Sequence, residues 1–420
     1  MKNSLKTNFG RSLVVVAAIF FVAVFCIYSF SPKASGQDQV PLFSLGETLS
    51  SLTEDEKSSI ASVSESEISF NLTSRSQINM ERLIFPLPDG RMHVAVQRKT
   101  EGFEDRGKDG FTWRGKLKEG RLSGDVVLTF NDESVSGLIY AGDTVYEIVL
   151  KGGRQILVEL DQSKFPDCAG EIKADEFESG TENTVASVNE LDAPADTGNT
   201  IDVMVLYTSS VRTSLGGDTQ AQSFAQQAID STNTAYINSR ITQRVRLVRA
   251  QLSPVSEAGS LSTELSNLRA NSTVASLRDQ YKADLVAMIS NTGGGCGIGY
   301  LMGSTTGNSG NAFTVTSRTC VVGNLSFAHE LGHNMGSAHN PENGSGGTYS
   351  YSYGHWVNGV FRTVMSYSNP CTSGCTRRAY FSNPSVTYSG YPTGIANTRD
   401  NARSINNTDV TIANYRSAGN

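Results

Sequence analysis

Apolar residues follow several different patterns along this chain. Leu13 to Phe30 is almost wholly apolar, preceded by Lys2, Lys6 and Arg11 without any acid and followed by Ser31-Pro32-Lys33-Ala34-Ser35-Gly36. That order predicts a secretory signal over 1–35. The run just reaches the length of a membrane span, so an anchor left uncleaved is the other reading. Residues 37–80 are polar and Ser-rich with little periodicity. From about Glu81 the pattern becomes short β runs, at 92–96, 126–130, 137–140, 145–150 and 155–160, with hairpin turns at 131–133, 141–143 and 151–153. They predict a small antiparallel β domain, in which His93 is a partly buried strand residue. Residues 171–198 are acidic, lack sustained apolar periodicity and read as an exposed linker.

Beyond the linker, strands and helices alternate. Strands are predicted at 201–207, 245–251 and 284–290, helices at 219–238 and within 261–282, and Ala312 to Thr316 as an edge strand beside a cleft. A helix follows over about 325–335, then polar, irregular chain and a last helix over about 398–415. The alternation predicts an α/β (α+β) domain with a twisted mixed sheet. The run Gly293-Gly294-Gly295-Cys296-Gly297 is expected to make tight turns, since no Gly-Lys-Ser/Thr follows to make it a phosphate loop.

With 420 residues there is room for two or three domains, and a net charge of −6 with 18% charged residues excludes a nucleic-acid binder. Of six cysteines, Cys26 lies in the apolar leader and Cys168 ahead of the linker. Cys296, Cys320, Cys371 and Cys375 make an even number suited to two disulfides in an oxidising compartment. Three pairings are open, with Cys296–Cys320 and Cys371–Cys375 the favoured one; four-cysteine metal binding is disfavoured because no C-x-x-C pair exists.

The chemistry concentrates in His329-Glu330-Leu331-Gly332-His333-Asn334-Met335-Gly336-Ser337-Ala338-His339, which holds three of the five histidines. His329 and His333, four apart, share one helical face and can reach one ion. Gly336 allows the sharp turn that returns His339 as a third ligand. Three nitrogens with one open position describe a catalytic Zn2+ rather than a structural one. Glu330 can then take the proton of a zinc-activated water as it attacks a peptide carbonyl, and pass it to the leaving amine. A solvated helix with incidental histidines is the competing reading, and the full H-E-x-x-H-x-x-G-x-x-H spacing weighs against it.

This motif resembles that of the metzincin zinc metallopeptidases, whose other mark is a methionine turn beneath the metal. Thr363-Val364-Met365-Ser366-Tyr367 fits that turn, and the closing segments Phe381-Ser382-Asn383-Pro384 and Asp400-Asn401-Ala402-Arg403 resemble bacterial reprolysin-like enzymes, particularly the peptidyl-Asp metallopeptidases. One position departs: Asn340 stands where typical reprolysins carry Asp. The resemblance implies a metzincin-like catalytic domain with a zinc helix, Met365 as an apolar floor, and Tyr367 as a phenol able to ligate resting zinc and support the oxyanion. It also implies an acidic residue after the cut, with Arg362 and Arg377-Arg378 in the region that lines the first primed subsite. His355, beside Trp356, reads as structural. Cys168 is proposed as a fourth zinc ligand in the precursor only, akin to the cysteine switch of matrixins; an unpaired or intermolecular cysteine is the alternative.

The expected organisation is a signal peptide over 1–35, a propeptide with its β domain over 36–170, the linker with the maturation site over 171–198, and a zinc metalloprotease domain over 199–420. The expected function is that of a secreted, monomeric endopeptidase acting on proteins or peptides and inhibited by its own propeptide. Membrane contact is expected only through an uncleaved leader. A catalytically idle, zinc-holding adhesion or binding module on the same fold is the rival, and Glu330 speaks against it.

Overall fold

Two sheets pack around one long helix in a computed structural model that describes residues 40–49, 57–74, 76–117, 124–131, 134–173 and 200–416. The expected signal peptide and most of the expected linker lie outside the described residues. Among the described residues no helix is long and apolar enough to cross a membrane.

The N-terminal half forms one antiparallel sheet from β1 (Phe43–Thr48), β2 (Ser62–Phe70), β3 (Arg82–Pro86), β4 (Met92–Gln97), β5 (Phe103–Asp105), β6 (Phe111–Leu117), β7 (Asp125–Phe130), β8 (Val135–Ala141), β9 (Thr144–Lys151) and β10 (Arg154–Leu160). Its order is β1-β2-β10-β9-β8-β7-β6-β4-β3, with β5 on β6. Successive strand residues point to opposite faces, and here the two faces enter different cores. Val126, Leu128, Phe130 and Ile139 pack with Trp113 and Phe85, whereas Val127, Leu138 and Tyr140 join the core of the second half. Both faces are therefore covered, and β7 and β8 are buried along nearly their whole length. Strands β1 and β2 fall in the stretch that showed little periodicity. The reason is visible in β2, where Glu65 is buried but satisfied by the Ser58 amide at 2.5 Å and hydroxyl at 2.8 Å, so its inward face is polar.

The second sheet runs β11-β15-β16-β14-β12-β13, from β11 (Glu171–Lys173), β12 (Thr200–Tyr207), β13 (Arg244–Leu252), β14 (Leu285–Ser290), β15 (Gly297–Leu301) and β16 (Phe313–Ser317). It is mixed: β15 runs antiparallel to β16 while the other pairs are parallel. Two expectations are corrected. Strand β16 is internal, not the edge: β15 lies outside it, directly after the bends at 294–296 that the glycine run was expected to make. Glycine in a strand marks close approach of another chain segment; a Cβ on Gly297 would lie 2.5 Å from the Glu330 carboxylate. Glu171–Lys173, expected as linker, instead pairs with β15 as an added parallel strand.

Helices α1 (Ser209–Leu215), α2 (Asp218–Asn238), α3 (Leu261–Ala270), α4 (Ser272–Gln280), α5 (Ser326–Asn334) and α6 (Asn401–Ala413) follow, with two short strand pairs, Trp356–Val357 on Phe361–Arg362 and Thr387–Tyr388 on Tyr391–Pro392, between the last two. Val40–Asn420 make one compact unit, with α2 between the two sheets. Its apolar side, Phe224, Ala225, Ala228 and Tyr236, packs in the core shared with Ile201 and Leu285. Its polar side meets the N-terminal sheet. Asp230, fully buried, accepts hydrogen bonds from Thr112 at 2.5 Å and Thr129 at 2.6 Å, with Arg106 and Arg114 each 3.6 Å away. Asn238 Nδ2 donates to Asp125 at 3.1 Å.

Removing one member of such a buried charged cluster strands the others. Asp230→Ala is therefore expected to destabilise the full-length chain by about 3 kcal/mol or more, measured by urea unfolding. A loss below about 1 kcal/mol would mean that the cluster is dispensable.

Candidate active site

Helix α5 carries the site, and its neighbours fix its position closely. Asn334 Nδ2 donates to Tyr300 O at 2.8 Å, and Met302 N to His333 O at 3.0 Å, tying the helix to β15 and the chain after it. Gly332 allows Met365 beneath: a Cβ there would lie 2.6 Å from Sδ. Met365 is fully buried and packs as the expected floor. The helix ends at Asn334, and Gly336 takes φ +82, where a Cβ would also strike Thr348. That turn brings His339 back over the helix.

The three imidazoles converge. Each pair of Nε2 atoms among His329, His333 and His339 is 3.1 Å apart. His329 Nδ1 lies 2.8 Å from Val364 O, and His333 Nδ1 2.8 Å from Ser337 O. A carbonyl can only accept, so both rings carry their proton on Nδ1 and present a bare Nε2 lone pair. Burial, followed by the neighbouring charges, holds His329 and His339 well below the usual imidazole range, and burial likewise lowers His333. All three are thus neutral ligands aimed at one point. On a tetrahedral ion with bonds of about 2.0–2.1 Å, nitrogens stand about 3.3 Å apart, close to the observed triangle. The donor set fits a divalent metal.

Glu330 is fully buried, and neither of its carboxylate oxygens has a hydrogen-bond donor. Burial pushes its pKa up to about 8, against a smaller lowering by the Cys168 thiol and Arg377. Cys168, the free cysteine among the described residues, completes the cluster: its Sγ and one nitrogen of each histidine all lie within 4.8 Å of one another. Tyr367 sets its ring centroid 4.2 Å from that of His339, tilted by 43°, and donates its hydroxyl to Cys168 O at 3.2 Å. His355 lies outside the group, buried against Phe361 and next to Trp356, as expected of a structural histidine.

The segment bearing Cys168 covers the site. Asp167 O accepts from Cys296 N at 3.0 Å, Ala169 N donates to Gly297 O at 2.8 Å, and β11 then continues along β15. Glu171 extends this cover, accepting from Ser345 N at 3.0 Å and Oγ at 2.6 Å, with its other oxygen 3.4 Å from His339 Nδ1. Neither Glu171 nor Asn340 was singled out for the site from the sequence. Asn340 Oδ1 accepts from Tyr367 N at 3.0 Å, locking the methionine turn to the third histidine. Its only signal was the departure from Asp. Both disulfides form as favoured, Cys296–Cys320 anchoring the end of β15 and Cys371–Cys375 closing a surface loop.

Comparison with known proteins agrees with this site. A family model described as metallo-peptidase family M12 matches residues 197–382. A protein named peptidyl-Asp metalloendopeptidase from Xanthomonas campestris pv. campestris is 31% identical, over 80% of this chain and 82% of its own. The chain belongs to the M12 metallopeptidases. One of the same name from Stenotrophomonas maltophilia is 30% identical over 85% of this chain and 87% of its own, and one from Pseudomonas aeruginosa is 35% identical over 52% and 40%. Membership implies a metal in this metallopeptidase, and the three convergent lone pairs are where this chain can hold one.

Proposed function

We propose that the chain is the inactive precursor of a secreted zinc endopeptidase that prefers an acidic residue just after the cut. The carrying observation is the 3.1 Å triangle of Nε2 atoms with a donorless, buried Glu330 carboxylate beside it. An idle binding module has no use for that carboxylate, whose burial costs stability. His329, His333 and His339 would hold the ion. Zinc, when bound, supplies a Lewis acid that polarises the carbonyl and acidifies water. Glu330 takes the proton of the attacking water and hands it to the departing amine. Tyr367, freed from the Cys168 carbonyl, has its hydroxyl available for the carbonyl oxygen of the scissile bond as charge builds there.

The covering segment supports the precursor reading. Cys168 is a soft sulfur donor placed against the three nitrogens, and the strand after it occupies the edge of β15, where an extended substrate would otherwise add. The leader and the two disulfides support passage to an oxidising compartment. The acidic linker, within 171–198, is the proposed maturation region. The acidic preference rests on the relatives' name, peptidyl-Asp metalloendopeptidase.

Glu330→Gln, made in the processed enzyme, should keep one zinc per chain and lose hydrolysis by about 10²-fold to 10⁴-fold or more, measured on casein with chelator-treated parent as the blank. Near-parental cleavage by the zinc-loaded variant would remove Glu330 from its role. Cys168→Ala should make the unprocessed precursor active. A silent variant precursor would instead assign the inhibition to the cover of β11 and the N-terminal sheet alone.

A further inference from the structure

Arg362 and Arg377 are brought side by side by a parallel backbone bridge, and each is only 2% exposed. Both donate to Ser366 O, Arg362 Nη1 at 2.8 Å and Arg377 Nη2 at 3.1 Å. The remaining contacts go to Asn324, whose carbonyl accepts from Arg377 Nη1 at 2.8 Å and whose Oδ1 accepts from Arg362 Nη2 at 3.3 Å. The Nε of each guanidinium has no partner, and among the described residues no carboxylate forms an ion pair with either. Two like charges are thus buried together with only neutral acceptors, an arrangement that costs stability unless an anion visits.

The surroundings say where that anion would come from. Burial, then the charge of Arg377, holds Arg362 well below the ordinary guanidinium range; burial brings Arg377 down to about 10. The largest opposing influence on Arg377 is Asp167, which also acts on Arg362, followed by Cys168, Tyr367 and Glu330. Geometry puts the pair behind the covering segment: both hold Ser366 O, between Met365 and Tyr367, and Asn324, which they also hold, has its Nδ2 3.4 Å from Sγ of Cys296, whose N donates to Asp167 O at 3.0 Å. Arg378 differs. It gives Nη2 to Gly142 O at 2.7 Å and Asp143 at 3.0 Å and lies over the Tyr140 and Tyr388 rings, so it serves the contact with the N-terminal sheet.

We infer that Arg362 and Arg377, and not Arg378, bind the side-chain carboxylate of the substrate residue just after the cut, with Asp167 standing as the precursor's own acid at that place. This rests on the endopeptidase reading above. A carboxylate would meet paired charge-assisted donors, whereas its neutral isostere asparagine would leave them unmatched.

The test uses processed enzyme matured from the full-length chain and peptides differing only in Asp, Asn or Leu after the cut. The parent should favour Asp over Asn by about 10²-fold to 10⁴-fold in kcat/KM. Arg377→Met and Arg362→Met should each bring that ratio to within about tenfold of unity while still cutting the Leu peptide. Should these variants fail to fold, Arg377→Lys and Arg362→Lys take their place, with a ratio expected to fall at least about tenfold. Calorimetric Kd values for the Asp and Asn peptides on Glu330→Gln enzyme, with and without the arginine change, should shift the same way. An unchanged Asp-to-Asn ratio in the variants, or no preference in the parent, overturns the assignment. A parent that cuts none of the peptides fails instead on the endopeptidase reading and removes this one with it.

Discussion

Three imidazole nitrogens held 3.1 Å apart with their lone pairs facing repel one another unless a cation lies among them. Much of the second half of the chain enforces that meeting. The Val364 and Ser337 carbonyls fix the tautomers of His329 and His333 from outside. Gly297 and Gly299 let β15 lie against Glu330, and Gly332 admits the Met365 thioether below. Asn340 joins the last histidine to the methionine turn through the Tyr367 amide. Each contact takes away freedom that the ligands would otherwise lose on binding, which is what makes a metal centre pre-organised.

The same geometry explains why the N-terminal half is joined as it is. Its sheet meets the rest through the shared apolar core of Val127, Leu138 and Tyr140 and through the polar side of α2, where Asp230 and Asn238 hold hydroxyl, carboxylate and arginine partners. At the site itself the covering strand is held by backbone bonds to Cys296 and Gly297 and by Glu171 on Ser345. In the proposed reading, one cut beyond residue 173 loosens both contacts, exposing the β15 edge and freeing Tyr367 together.

Much of this was legible in the sequence, for physical reasons. Histidine spacing on a helix and a glycine able to reverse the chain encode the cluster almost by themselves, and continuous apolar runs such as β12 and β14 announce buried strands. What stayed hidden depends on neighbours distant in the chain. Strand β15 was not expected because its glycines answer to Glu330, far along the sequence, and β2 looked irregular because its buried Glu65 is satisfied by Ser58. Glu171 read as linker charge until its place beside His339 was seen. Adjacent arginines could not be told apart either: Arg377 turns to the site and Arg378 to the N-terminal sheet.

In the proposed precursor a zinc ion is held by His329, His333 and His339 and by the Cys168 sulfur. X-ray absorption at the zinc edge reads that ligand set directly on the zinc-loaded full-length chain. One sulfur at about 2.3 Å with three nitrogen neighbours at about 2.0–2.1 Å is expected, with loss of the sulfur on maturation. A precursor spectrum with light-atom neighbours alone would contradict this ligand set.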